Sequence, residues 1–300
     1  MYQMLISVAS RLATPVGFDD WKYMEWSFFL FAIPIVFLYG ICIGSFLNVV
    51  IIRLPRGESL IKRSSHCMTC GAKIRIIDLI PVFSWLMLRG KCHSCGEKIS
   101  PRYPIVESLN GLLYIADFLV FGWNWNMVIM CIFTSVLVVV GFMDWDTQEM
   151  DLRVLAIIAL LVIPSWFVSE LTLKDRLIGA VVIGLPFFLI GEISGIYIKK
   201  KTGEKYRGIE LGDTILMTLS GLLIGWKAML PSAFIGIILA AIFGLILKKI
   251  TGDSKFAFGP YLCAGLFIGA MFGEFITSWY LSKLPEPEVM EFYSNFLLLR

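Results

Sequence analysis

The chain has 300 residues, 58% hydrophobic and 16% charged, with a formal net charge of +3. Soluble domains run at ~45–50% apolar, so this composition excludes an ordinary water-soluble domain and predicts an all-α polytopic membrane protein surrounded by membrane lipids. No nucleic-acid partner is expected.

Residues 1–25 carry Asp19, Asp20, Lys22 and Glu25 and lack a compact apolar core before a small-residue cleavage site. No cleavable signal peptide is therefore expected. Leu5, Val8 and Leu12 recur at helical spacing and predict an amphipathic surface helix. Apolar runs suited to ~30 Å of hydrocarbon predict about eight spans. They lie at 27–52, 105–122, 127–143, 153–169, 177–198, 214–230, 231–248 and 259–281. The fourth and sixth are short. Ala228-Met229-Leu230-Pro231 predicts a tight hairpin between the sixth and seventh. The expected organisation is an N-terminal segment with the first span (1–52), a small cytosolic zinc-ribbon insertion (53–104), a transmembrane core (105–281) and a C-terminal tail (282–300).

The insertion contains Cys67-Met-Thr-Cys70 and Cys92-His-Ser-Cys95, a C-x2-C-x21-C-x2-C pattern close to that of a four-thiolate zinc site. Gly71 and Gly96 follow the pairs and suit the tight knuckles that point two thiolates at one metal. Two disulfides or a redox dithiol are the alternatives; a redox site needs one pair rather than two matched ones. Four thiolates close the coordination shell, so the expected zinc is structural. Cys42, Cys131 and Cys263 fall within apolar runs and read as buried small residues.

Reduced thiolates belong in a reducing compartment, which puts 53–104 inside. The inner loops are then 53–104, 144–152, 199–213 and 249–258. With Arg153 and Lys248 at their edges, they hold 19 of the 26 Lys and Arg. That is the positive-inside bias. Both termini fall outside, and the uncharged loop Gly122-Trp-Asn-Trp-Asn126 reads as an outer interfacial anchor.

Two acidic clusters stand where inner loops meet spans. One is Asp144-Trp-Asp146-Thr-Gln-Glu149-Met-Asp151; the other is Glu210-Leu-Gly212-Asp213. Asp213 also suits a helix N-cap, and Asp144 also reads as a solvated interfacial charge. Yet an acid near a helix C-terminus opposes the macrodipole, and ionisable groups at membrane depth are functional candidates.

The chain resembles the bacterial type IV prepilin peptidases, GxGD-type aspartic proteases of the membrane. The resemblance covers about 38–275. It is carried by Gly44-Ser-Phe-Leu-Asn48…Arg53-Leu-Pro55, the cysteine ribbon, Asp78-Leu-Ile-Pro-Val-Phe-Ser-Trp-Leu86, Ile99-Ser-Pro-Arg-Tyr-Pro104-Ile-Val-Glu107, the Asp144 cluster, Gly212-Asp213 and Phe256-Ala-Phe-Gly-Pro260-Tyr. The resemblance implies Asp144 and Asp213 as the catalytic pair. It further implies prepilin or pseudopilin substrates, a bacterial inner-membrane location, and N-methylation of the new N-terminus with S-adenosylmethionine as donor. The sequence departs from the family twice: Glu210 replaces the first Gly of Gly-x-Gly-Asp, and Met150-Asp151 replaces the usual Ile-Pro. Asp146 and Glu210 therefore stand as alternates. The methyl-donor site is not assigned; Asn48, Arg53, Arg102 and Glu107 are polar residues at inner span ends that could line such a site, and interfacial anchoring and helix capping is the slightly preferred reading of them. Acidic Glu149, Asp151, Glu204 and Glu210 read either as attractors of a basic leader or as solvated loop charges. The competing functions are an ion-coupled transporter with intramembrane carboxylates and a noncatalytic scaffold presenting the ribbon to a partner.

Overall fold

A computed structural model describes residues 26–61, 65–203, 207–251 and 256–284. The surface helix expected within 1–25, the tail beyond 284 and Glu204 lie outside these. Eight α-helices run through the described residues: α1 (Trp26–Arg53), α2 (Phe83–Met87), α3 (Arg102–Phe121), α4 (Trp125–Thr147), α5 (Leu152–Val168), α6 (Leu173–Thr202), α7 (Leu211–Thr251) and α8 (Gly259–Leu281). By length and composition α1, α3, α4, α6, α7 and α8 suffice to cross a membrane, while α5 is a shorter apolar helix of 17 residues. All eight expected apolar runs are helical, two of them within α7.

The helix starts follow local chemistry. Asn124 caps α4, its side chain accepting the Met127 N–H at 2.9 Å. Asp151 caps α5 by accepting the Arg153 N–H at 2.8 Å. Thr172 and Asp175 form a reciprocal capping box on α6. Each satisfies amide donors that have no partner inside their own helix.

One expectation is corrected. The reversal between the sixth and seventh apolar runs occurs at Gly225, not at Ala228–Pro231. Gly225 has φ 74° and ψ 168°, and it divides α7 into two arms. The first arm packs on α6, with Gly179 against Gly221 and Gly184 against Thr218; the second packs on α8, with Ala228 against Gly273, Ser232 against Gly269 and Gly236 against Leu262. Residue numbers rise in one helix as they fall in the other, so both contacts are antiparallel. Because α8 and the first arm begin at the same end of the bundle, the two arms must run back alongside the fold. Pro231 lies within the second arm. Proline has no N–H to offer the carbonyl four residues earlier, and the Thr277 hydroxyl donates to that Lys227 carbonyl at 2.6 Å instead. The turn thus falls where the backbone needs a positive φ, which glycine supplies at little cost.

Helix α4 lies at the centre: 72% of its apolar window is buried, against 28% for α6. Phe133, Leu137, Val140 and Met143 of α4 meet Leu155 and Ile158 of α5, Leu216 and Met217 of α7, and Leu262 and Leu266 of α8. Outward residues such as Leu185, Phe188, Ile193 and Leu245 remain exposed on α6 and α7, as a lipid-facing surface requires. At the end of the bundle away from the ribbon, the buried guanidinium of Arg176 ties three helices together. It donates to the Ser165 hydroxyl at 2.9 Å, the Ser169 hydroxyl at 2.7 Å and the Leu222 carbonyl at 2.9 Å, and it lies over the Trp166 ring. Those contacts satisfy a carbonyl left open where the first arm of α7 ends.

Candidate active site

Asp144 lies in the last turn of α4 and Asp213 in the first turn of α7; they are 6% and 4% exposed. The sequence separates them by 69 positions, but the bundle brings both to one end. They lie within electrostatic reach of each other and of Cys263 in α8.

An acid at the C-terminal end of α4 faces the wrong end of its own helix dipole. The fold answers this with another helix. The N–H of Gly259, first residue of α8, donates to Asp144 Oδ2 at 2.7 Å. A free N-terminal amide at the positive end of α8 thus meets the carboxylate. A side chain at 259 is not tolerated there, since an added Cβ would fall 2.8 Å from Asp144 Oδ2 and 2.7 Å from Met150 Cε. Asp213 is anchored locally: its Oδ2 accepts the Glu210 N–H at 3.2 Å, the reach-back half of a capping box. The capping role read from the sequence is present, exercised from the third helical position rather than from the cap itself.

The alternates are placed differently. Asp146 forms a two-pronged ion pair with Arg102 of α3, with Nη1 to Oδ1 at 2.8 Å. Glu210 is exposed on the loop before α7. Partial desolvation, then the charges of Asp144 and Glu149, raise its carboxyl above the ordinary range. Asp151, the cap of α5, is held below that range by Arg153. Met150 lies between the two clusters, touching both Gly212 and Gly259. The Gly259 N–H was not among the expected site groups. The usable signal was Gly-Pro at 259–260, since proline favours the first turn of a helix.

Beside Cys263 an apolar cleft of about 650 Å3 opens between α3, α4 and α8. Leu109, Leu113, Leu137, Gly141, Cys263 and Phe267 line it, together with Trp145 and the Arg102–Asp146 pair.

The four cysteines of the insertion converge. Their sulfurs all lie within 4.8 Å of one another, with Cys67 and Cys95 at 3.9 Å. Four thiolates ~2.3 Å from a tetrahedral zinc lie about 3.8 Å apart, so the donor set and its size fit that ion. The knuckles are built alike. Gly71 N–H donates to the Cys67 carbonyl and Gly96 N–H to the Cys92 carbonyl, both at 2.9 Å, and each glycine has positive φ. The amides of Cys70 and Thr69 bring the Cys67 thiol down to about 6, whereas, against the Glu97 amide, desolvation and the neighbouring cysteines push that of Cys95 up to about 12, so the thiols of the tetrad titrate as one set.

These features define a class: a multi-pass helical membrane protein with two buried aspartates at one end of its bundle and a cysteine-tetrad module at the same end. The profile described as "Bacterial Peptidase A24 N-terminal domain" matches residues 38–121, and that described as "Type IV leader peptidase family" matches 131–245. Among curated relatives, the prepilin leader peptidase/N-methyltransferase of Myxococcus xanthus is 35% identical over 228 residues, 74% of this chain and 65% of that protein. The same-named protein of Aeromonas hydrophila is 33% identical, covering 87% of this chain and 96% of its own length. That of Pseudomonas aeruginosa is 32% identical, covering 81% and 91%. No solved structure matches the chain. The chain belongs to the type IV leader peptidase family.

Proposed function

We propose that this protein is a membrane-embedded aspartic endopeptidase that removes the basic leader of type IV prepilins or pseudopilins and then N-methylates the new N-terminus. The observation that carries the peptidase reading is the convergence of two buried carboxylates, Asp144 and Asp213, from different helices. One carboxylate takes a proton from water as it attacks the scissile carbonyl, and the other gives a proton to the departing amine. Two close carboxylates do not both ionise cheaply, so the pair holds one proton between them and titrates as a unit. The Gly259 N–H fixes the orientation of one partner before substrate arrives.

The substrate has a short basic leader followed by an apolar helix, so its cut falls at a membrane edge. The apolar cleft beside Cys263 suits that helix, and Glu149 and Glu210 offer negative charge to the leader. Asp146, held by Arg102, is a less suitable partner for Asp213 than the unpaired-by-cation Asp144. The ribbon takes one structural zinc through Cys67, Cys70, Cys92 and Cys95 and faces the cytosol at the bacterial inner membrane; S-adenosylmethionine supplies the methyl group. Family membership speaks against the transporter and scaffold readings. The test is to incubate purified protein with a prepilin and S-adenosylmethionine, then sequence and weigh the product. A new N-terminus at the leader boundary carrying one added methyl is expected; an uncut prepilin would refute the reading.

A further inference from the structure

The inner end of α3 separates two cavities. Arg102, Leu109 and Leu113 face the apolar cleft, whereas Tyr103, Pro104 and Glu107 face a second cavity of about 450 Å3 beneath the cysteine module. Its size falls within the ~300–1,000 Å3 of small-molecule sites. Its lining is much more polar than the apolar cleft, drawn from α1, α3 and the module, and includes Asn48, Arg53, Arg56, Trp85, Tyr103 and Glu107.

Glu107 is the feature that demands explanation. It is 7% exposed in the second turn of α3. Its Oε2 accepts the N–H of Val82 at 2.7 Å. Val82 has φ 64° and ψ −54°, a conformation that costs a β-branched residue energy and persists only where surroundings enforce it. A strained turn of the module is thus locked onto a buried carboxylate. Asn48 fastens the opposite side by donating to the Tyr103 carbonyl at 3.1 Å, and the Trp85 indole is fixed by its bond to the Ile99 carbonyl at 3.1 Å. The wall is rigid and preorganised, and an apolar core would need none of these polar groups.

The geometry points to this cavity as the site for S-adenosylmethionine, with Glu107 facing the sulfonium, Trp85 and Tyr103 flanking the adenine and the Arg53–Arg56 end receiving the donor's carboxylate. The assignment rests on the methylation reading above. A buried carboxylate favours a sulfonium cation over the neutral thioether left after transfer, the arginines match the donor's anionic end, and flat rings match its base. In the transfer the lone pair of the deprotonated pilin amine forms the N–C bond. The C–S bond breaks with its electron pair passing to sulfur, which becomes a neutral thioether, and the surplus amine proton leaves to water. Cleavage and methylation then occupy separate sites, because neither Asp144 nor Asp213 lines this cavity.

The test is equilibrium binding of radiolabelled S-adenosylmethionine to purified, zinc-loaded protein, without prepilin. Glu107→Gln removes the charge but keeps an acceptor for Val82 N–H; Ser84→Phe fills the cavity from its wall. Each should weaken binding at least about tenfold, as expected for losing a charge-assisted contact or the space for a ligand, with four-thiolate zinc content unchanged. If Glu107→Gln loses its zinc, Ser84→Phe decides. Wild-type affinity in correctly loaded variants would overturn the assignment. So would absence of donor binding by wild-type protein that cleaves prepilin, an outcome that leaves the peptidase reading standing.

Discussion

At the residue scale, two aspartates of similar sequence context have opposite surroundings. Asp144 meets an amide at a helix N-terminus, while Asp146 meets a guanidinium. Asp144→Asn or Asp213→Asn should each lower prepilin cleavage by about 100- to 10,000-fold, the range of general acid–base contributions. The double variant should be barely slower than either single one, because paired groups act as a unit; Asp146→Asn should be much milder. Single-turnover assays on the four proteins check this. Gly259→Ala should also reduce turnover, because its Cβ displaces Asp144, and zinc content should stay normal. Glu210 gives a pH prediction. Its carboxyl is raised above the ordinary range, so between about pH 4.3, the unfolded value, and that raised value the folded state holds more protons than the unfolded one. Stability contributed by this group is therefore present below the window and lost as pH rises through it. Glu210→Gln should match the parent at low pH and unfold at a higher temperature above the window; thermal scans across pH measure it.

At the scale of elements, helix ends account for much of the architecture. The N-terminus of α8 neutralises the unfavourable end of α4, and the side chain of Asp213 completes the start of α7. The first arm of α7, Leu211–Ile224, is about 21 Å long at 1.5 Å per residue, shorter than the ~30 Å hydrocarbon core. Such an arm keeps Asp213 close to one face and makes the position of its turn consequential. Gly225→Ala should destabilise the protein by about 1–3 kcal/mol, the cost of holding a residue with a Cβ in an essentially glycine-only backbone conformation, increased by contact of that Cβ with Leu171 at 2.8 Å. Denaturant titration in detergent micelles checks the magnitude. An Ala variant at Pro231 should be far better tolerated, since helix continues through it.

At the scale of the whole molecule, the cysteine module sits over the inner ends of α1 and α3, sharing a cavity with them and joined to α3 by the Val82 N–H to Glu107 bond. It lacks a hydrophobic core of its own: Ile76, Ile77, Leu86 and Met87 are exposed. Below ~70–80 residues a single core rarely supplies enough stability and small folds add a metal or crosslinks, and closing four thiolates around zinc supplies folding free energy directly. One zinc per chain is expected by metal analysis. Chelation should open the segment between Arg53 and Pro104 to trypsin at Arg75, Arg89, Lys91 and Lys98 while the helices beyond Arg102 stay protected. Continued resistance of the module after complete zinc loss would contradict a structural metal.

What the sequence determined by itself was short-range. Apolar runs, caps and the paired Cys-x2-Cys spacing depend on neighbours a few positions apart, and the helices and the cysteine cluster follow from them. The two acidic segments were also visible, as was Asp213's place at a helix start. Only the tertiary structure decided which acids face one another. The meetings that matter join residues 69 and 115 positions apart, with Asp213 in electrostatic reach of Asp144 and the Gly259 N–H bonded to it, and no periodicity encodes them. The same holds for the reversal at Gly225. Proline and glycine both mark breaks in sequence, but the Thr277 hydroxyl, reached only in the fold, satisfies the carbonyl that Pro231 leaves open and lets the helix run through. Arg102 and Glu107, five residues apart on α3, point about 140° from each other by the helix period, and packing decides only that one meets the apolar cleft and the other the cavity beneath the cysteine module.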